Sequence, residues 1–285
     1  MNKQSYKEGI MRLIFLLCAC MSLAAVILIC LFMFASGLPA MAEIGPLNFL
    51  LGMEWKPSQG LFGILPMIVG SIYVTAGAIL VGVPIGILSA VFLAHYCNKH
   101  LYKIIKPAID LLAGIPSIVY GFFGLVVIVP LIQELTGTGG KGVLTASLLL
   151  GMMILPTIIT TAEAAIKAVP DTYYEGSLAL GATKERSIFR SVFPAAKSGL
   201  FAGVILGVGR AIGETMAVVM VAGNQSIMPE SLTSGVRTLT ANIVLEMGYA
   251  ADLHREALIA TAVVLFVFIL IINLCFSLIK ARAKI

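Results

Sequence analysis

The chain has 285 residues, 59% of them hydrophobic and 12% charged, with a mean hydropathy of +1.03 and a formal net charge of +5. A soluble chain carries roughly 25% charged residues, so this composition excludes a water-soluble domain and requires lipid as a partner. The basic residues sit at the ends of apolar runs and not on one groove-like face, which argues against nucleic acid.

Runs without a charged residue extend from Leu13 to Phe34, Leu61 to Ala94, Leu111 to Gln133, Gly142 to Ala162 and Ala257 to Ile279. Each reaches the ~20 residues that cross a hydrocarbon layer as a helix. Ser198 to Asn224 is long enough too, interrupted by Arg210 and Glu214. The expectation is an all-α protein with six transmembrane helices. With the N-terminus inside, fourteen Lys and Arg residues fall on inner segments and four (Lys56, Lys141, Arg237, Arg255) on outer ones. That bias predicts both termini in the cytoplasm. Four of the five cysteines lie in apolar spans and Cys97 on the inner side, so no disulfides are expected.

In chain order, residues 1–12 form a basic inner tail and 13–66 the first span with its outer loop. The apolar run Leu13–Phe34 exceeds the ~7–15 residues of a signal-peptide core and predicts a retained anchor, despite Ala40-Met41-Ala42 downstream. Trp55 is expected near the membrane edge. Leu61–Ala94 predicts one tilted span with an interfacial approach. Gly70 and Gly77, and Ser71 and Ala78, recur at seven-residue spacing, which predicts an interior face that packs closely on neighbours. Gly114, Pro116 and Gly121 predict a bent third span starting near Asp110.

Gly137–Gly142 reads GTGGKG, an outer turn and not a phosphate-binding loop, because Gly142 stands where Ser or Thr is required. After the fourth span comes a long inner segment, 163–197. Thr172 and Glu175 have capping-box spacing, and Gly181 suits a left-handed helix end. Thr183 is placed to cap a second helix with an apolar stripe of Ile188, Phe189, Val192 and Phe193. Pro194 marks the turn back toward the membrane.

Glu175, Gly181 and Pro194 stand in the register of the cytoplasmic EAA loop of ABC-importer permeases, which this segment resembles without a gap. Gly176 and Ser177 replace the two alanines, and Ser191 and Phe193 replace isoleucine and leucine. The literal Glu163-Ala164-Ala165 is out of register, since Val169 occupies its glycine position. LLAGIPSIVYGFFG (111–124), EGSLALGATK (175–184), GRAIGETMAVVMVAGN (209–224) and VRTLTANIVLEMG (236–248) are similar to the permeases of the bacterial phosphate-specific ABC importer. Of the two permease types in that importer, A and C, the GETMAV form resembles the C type.

That resemblance implies a type I ABC-importer transmembrane domain over 67–279, with a second inner tail at 280–285, in the bacterial inner membrane. It implies a second, A-type permease, two ATPase subunits and a periplasmic phosphate-binding protein as partners. Glu175, Gly176, Ser177, Gly181, Ala182 and Pro194 are the implied ATPase-coupling residues. Sulfate or molybdate transport, and a membrane signalling role, are the alternatives.

Arg210 falls near the middle of the fifth apolar run, where a charged residue costs ~2.5–3.5 kcal/mol on insertion scales. Gly203, Gly207, Arg210 and Glu214 share one face of an unbroken helix, on which Arg210 and Glu214 can pair. The glycines there suit tight packing or a water-filled path. A guanidinium fork matches paired oxygens of a tetrahedral oxyanion, which makes Arg210 the expected phosphate contact and Glu214 its holder when no anion is present. Arg237 is a weaker candidate for the outer mouth of the path. His95, His100 and His254 are too scattered for a metal site, and no hydrolase triad or HExxH pattern occurs. Neither a cofactor nor an enzymatic activity is expected of this chain.

Overall fold

The computed structural model describes the backbone of residues 3–282 and the side chains of 7–278. Residues 1–2 and 283–285, the outermost parts of the two expected tails, lie outside the described residues, as do the side chains of Lys3, Lys280 and Arg282.

The first apolar run becomes α1 (Lys3–Ile44), continuous through Pro39. Its side chains from Lys7 to Ile29 are exposed, a surface suited to lipid. Only its outer end packs, where Gly37 lets the backbone approach the last helix of the chain: a Cβ there would lie 3.1 Å from the Ala260 Cα. A short helix α2 (Pro46–Leu51) and a two-stranded antiparallel hairpin, β1 (Trp55–Lys56) and β2 (Leu61–Phe62), complete a platform at the end of α1 expected to lie outside. The apolar run from Leu61 thus opens in the second strand of this hairpin before the second span begins at Leu65. Trp55 is buried here, packed with Phe49, Phe62 and Ile64.

The second span is α3 (Leu65–Val91), extended by a π-helical turn over Phe92–Tyr96. Its glycines meet the fourth span, α7 (Val143–Lys167): a Cβ at Gly82 would lie 2.7 Å from Ile154, and one at Gly86 2.8 Å from Ile158. Of the small residues whose spacing predicts close packing, Gly77 meets Ser147 of α7 and Gly70 meets Val236 and the Arg237 carbonyl, while Ser71 and Ala78 are buried. Between them, α4 (Lys99–Gly114) is capped by the Asn98 side chain on the Leu101 amide, is a separate helix from the third span, and accepts a hydrogen bond from the Tyr120 hydroxyl at its Leu112 carbonyl, at 2.9 Å. Asp110 is on α4, paired with Lys106 at 3.2 Å, and not at the start of a span. Pro116 breaks the chain, and the third span runs through α5 (Ser117–Phe123), a π-helical turn (Gly124–Ile128) and α6 (Val129–Thr136). The predicted irregularity is thus two distortions in one span.

The segment expected on the inner side holds α8 (Asp171–Ala179), α9 (Lys184–Ser187), a π-helical turn (Ile188–Val192) and α10 (Phe193–Ala195). The chain then bends by 72° into α11 (Lys197–Gly213). Next come α12 (Met216–Val221), α13 (Leu239–Glu246) and the last span, α14 (Asp252–Arg282). Among the described residues five helices are long and apolar enough to cross a membrane, and the number is six if the bent pair, 184–195 with 197–213, counts as one span. The main core surrounds α7, where Leu149, Leu150, Met153, Ile154 and Ile158 are buried.

Candidate functional site: an open arginine beside a broken span

The fifth apolar run is not one helix. Gly213 ends α11, and Glu214 is extended (φ −68°, ψ 136°) before α12 begins at Met216. A backbone break at membrane depth is tolerated where its polar groups find partners or face a water-filled space. Here the break is held by side chains. The Glu214 Oε1 accepts the backbone N–H of Thr215 at 3.0 Å and of Ala217 at 3.3 Å. Thr240 of α13 donates its hydroxyl to the Glu214 carbonyl at 2.9 Å, and Thr215 donates to the Gly213 carbonyl at 3.2 Å.

This corrects the expected face of Gly203, Gly207, Arg210 and Glu214. Glu214 has left the helix, so four-residue spacing no longer brings it over Arg210, and its carboxylate serves the first amides of α12. No ion pair among the described residues includes Arg210. Its one side-chain hydrogen bond among those residues is a long one, Nη1 to the Thr157 hydroxyl of α7 at 3.5 Å. None of its other nitrogens is sealed from the surface.

The glycines divide into two sets. Gly203 and Gly207 are buried, and a Cβ at Gly207 would lie 2.8 Å from Ile158, so this pair serves tight packing on α7. Gly209 and Gly213 flank Arg210 and meet nothing within 4 Å. Leu206 and Met216 are exposed on either side. Arg210 therefore stands at the edge between a packed face and an open one.

Arg237 is arranged differently. Its Nε donates to the Asn224 carbonyl at 3.0 Å, and its Nη1 donates to Asn242 Oδ1 at 3.0 Å and to Glu246 Oε1 at 2.6 Å. Glu246, with its side chain only 9% exposed, also accepts the Trp55 indole N–H at 2.8 Å and lies 2.9 Å from His254 Nε2. This carboxylate gathers the hairpin, the outer loop, α13 and α14. Sequence reading did not find it, because Trp55 and Glu246 are 191 residues apart.

On the expected inner side, α8 starts directly after Pro170, one residue before Thr172, and has no side-chain cap. The Thr172–Glu175 capping box is therefore not formed: Thr172 is already inside the first turn, whose dipole Asp171 suits. The other end matches the sequence. Gly181 has φ +83°, its amide donates to the Leu178 carbonyl at 2.9 Å, and that of Ala182 donates to the Ser177 carbonyl at 3.2 Å, which is a Schellman closure. The Thr183 hydroxyl accepts the Arg186 amide at 3.3 Å. Of the stripe that follows, Ile188 and Val192 are buried while Phe189 is exposed against Phe193. Glu175, Gly176 and Pro194 are exposed, Ser177 and Ala182 half-buried or exposed at the helix end, and Leu180 is 91% exposed. By contrast Glu163 is inside α7, buried, accepting from Lys167 at 2.6 Å and Tyr102 at 2.7 Å, with Lys106 at 3.4 Å. It ties α4 to α7, and its i, i+4 spacing to Lys167 was the signal available for it.

The sequence profile of the binding-protein-dependent transport system inner membrane component family matches residues 82–285. A probable ABC transporter permease of Bacillus subtilis (strain 168), YqgH, is 37% identical over 281 residues, covering 96% of this chain and 91% of the relative. The phosphate transport system permease protein PstC of Mesorhizobium japonicum is 36% identical over 261 residues, covering 84% and 80%. Among solved structures, the fold is similar to the inward-facing MetNI methionine ABC transporter, with a TM-score of 0.64 and 20% identity over 81% of this chain and 99% of that one. A bacterial alginate ABC transporter aligns over 98% and 99% with a TM-score of 0.62 and 14% identity.

Proposed function

This chain belongs to the binding-protein-dependent transport system inner membrane components, a multi-pass membrane family, and from that premise we propose that it is the permease of an ATP-driven importer of inorganic phosphate. The observation that carries the reading is Arg210, a cation in a membrane span with no acidic partner among the described residues and with an open side. An unpaired cation at this depth is costly unless something visits it, and a tetrahedral oxyanion offers the paired oxygens that a guanidinium fork fits. The break between α11 and α12 gives that visitor room, since Gly209 and Gly213 present no side chain. Similarity to phosphate permeases supports phosphate as the cargo.

In this reading Arg210 takes the anion from its binding protein, Thr157 steadies the guanidinium in the interval, and Glu214 shapes the break and does not compete for the arginine. Arg237 keeps the outer loop in place beside the mouth of the path. The transmembrane domain spans 67–279, with both termini and the segment 163–197 on the cytoplasmic side, where fourteen basic residues gather. The exposed α8, with Glu175, Gly176, Ser177, Gly181, Ala182 and Pro194 in or near it, meets one of two ATPase subunits, and a second, A-type permease covers the open face of α11.

The test is uptake of radiolabelled phosphate by the reconstituted complex, with excess sulfate or molybdate as competitor. ATP-dependent accumulation that neither competitor suppresses is the expected result. Suppression by either anion would reassign the cargo, and absence of oxyanion uptake would remove the reading altogether.

A further inference from the structure

The helix α8 buries none of its nine residues, and only Tyr174 and Ser177 are even half-covered. Tyr174 packs against the apolar cluster that joins the inner ends of α3 and α7 to the π-helical turn at Ile188–Val192. Its ring also stacks on His95, with centroids 5.6 Å apart and planes inclined by 32°. His95 lies in the π-helical turn that ends α3, a distortion often found where a helix has work to do. Beside this contact is a cavity of about 270 Å³, lined among others by His95, Lys167, Val169, Asp171, Tyr174 and Val192. The His95 Nε2 is sealed from the surface with no hydrogen-bond partner among the described residues.

A close-packed core resists deformation, whereas an aromatic contact next to unfilled volume can pivot without forcing atoms together. Beyond His95 the connection runs along α3. Gly86 of α3 and Gly207 of α11 both rest on Ile158 of α7, and the neighbouring Thr157 holds Arg210. We propose that the Tyr174–His95 stack is the bearing on which α8 tilts, and the contact through which load on α8 passes by way of α3 and Ile158 to Arg210. The two rings act as positioning residues: neither touches the cargo. This rests on the importer reading above.

The experiment uses the whole reconstituted complex and measures anion uptake and ATP hydrolysis in the same samples, for Tyr174→Ala, His95→Ala, Tyr174→Phe and His95→Phe. The alanine variants should move about fivefold less anion per ATP, while the phenylalanine variants, which keep the stack, stay within about twofold of the parent. The ATPase should co-purify with all four in unchanged yield. An unchanged ratio in both alanine variants overturns the proposal. So does an equal loss in His95→Phe and His95→Ala, which would trace the effect to the imidazole nitrogens. Loss of the ATPase from the alanine variants also overturns it, because the rings would then be docking residues. The ratio is read with whichever oxyanion the parent complex accumulates, so failure of the phosphate assignment appears in the parent alone.

Discussion

Two arginines divide this molecule. Arg237, in the outer segment, is fixed by Asn224, Asn242 and Glu246, and Glu246 in turn holds Trp55 and faces His254. Arg210, in an apolar run expected to cross the membrane, has one long bond to Thr157 and glycines on its open side. The costlier position thus has the fewer partners. A buried cation kept for architecture is surrounded by acceptors, as Arg237 is; one kept for a ligand is left unfinished. The contrast supports the proposal that Arg210 is the working residue, beyond what its place in the sequence offers.

The contrast can be broken at four points. Replacing Arg210 by Gln should have the largest effect, lowering phosphate uptake about a thousandfold, the ~4 kcal/mol expected of two lost charge-assisted hydrogen bonds. The thermal midpoint of the purified complex should not move. Replacing Glu246 by Ala should do the reverse. Leaving the half-buried Arg237 without its carboxylate is expected to cost about 3 kcal/mol of stability, seen as a lower unfolding midpoint in detergent. The double change Arg237→Met with Glu246→Leu should recover part of that loss, since no charge is then stranded.

Smaller effects sharpen the account of the break. Glu214→Ala removes the acceptor for the first amides of α12 and should cost about 1 kcal/mol in the same melting experiment, as lost caps do. Glu214→Gln keeps an acceptor oxygen and should cost about half as much. If Glu214 instead held Arg210, the glutamine variant would alter the concentration dependence of uptake while leaving the melt unchanged.

What was legible in the sequence was what depends on neighbours along the chain. The small-residue face of α3 announced its packing on α7, and Gly181 and Thr183 announced one helix end and the next start, because each acts within one or two turns. The five to six candidate spans follow from the lengths of the apolar runs alone. What was not legible depends on tertiary partners. The four-residue step from Arg210 to Glu214 assumed a continuous helix; the chain breaks there because α13 supplies Thr240 to the freed carbonyl. Glu246 carries no local pattern that marks it; Trp55 and Arg237 reach it from other parts of the chain. The stack of Tyr174 on His95 likewise joins residues from different helices.

The central claim is that the site of Arg210 opens to water and not to acyl chains. It is tested most directly by Arg210→Cys, in a background with the five native cysteines replaced by alanine, assembled with its partners. The account predicts that a charged, membrane-impermeant thiol reagent labels position 210 from the aqueous side. Labelling only by a lipid-soluble reagent would contradict it, because no anion could then reach the guanidinium.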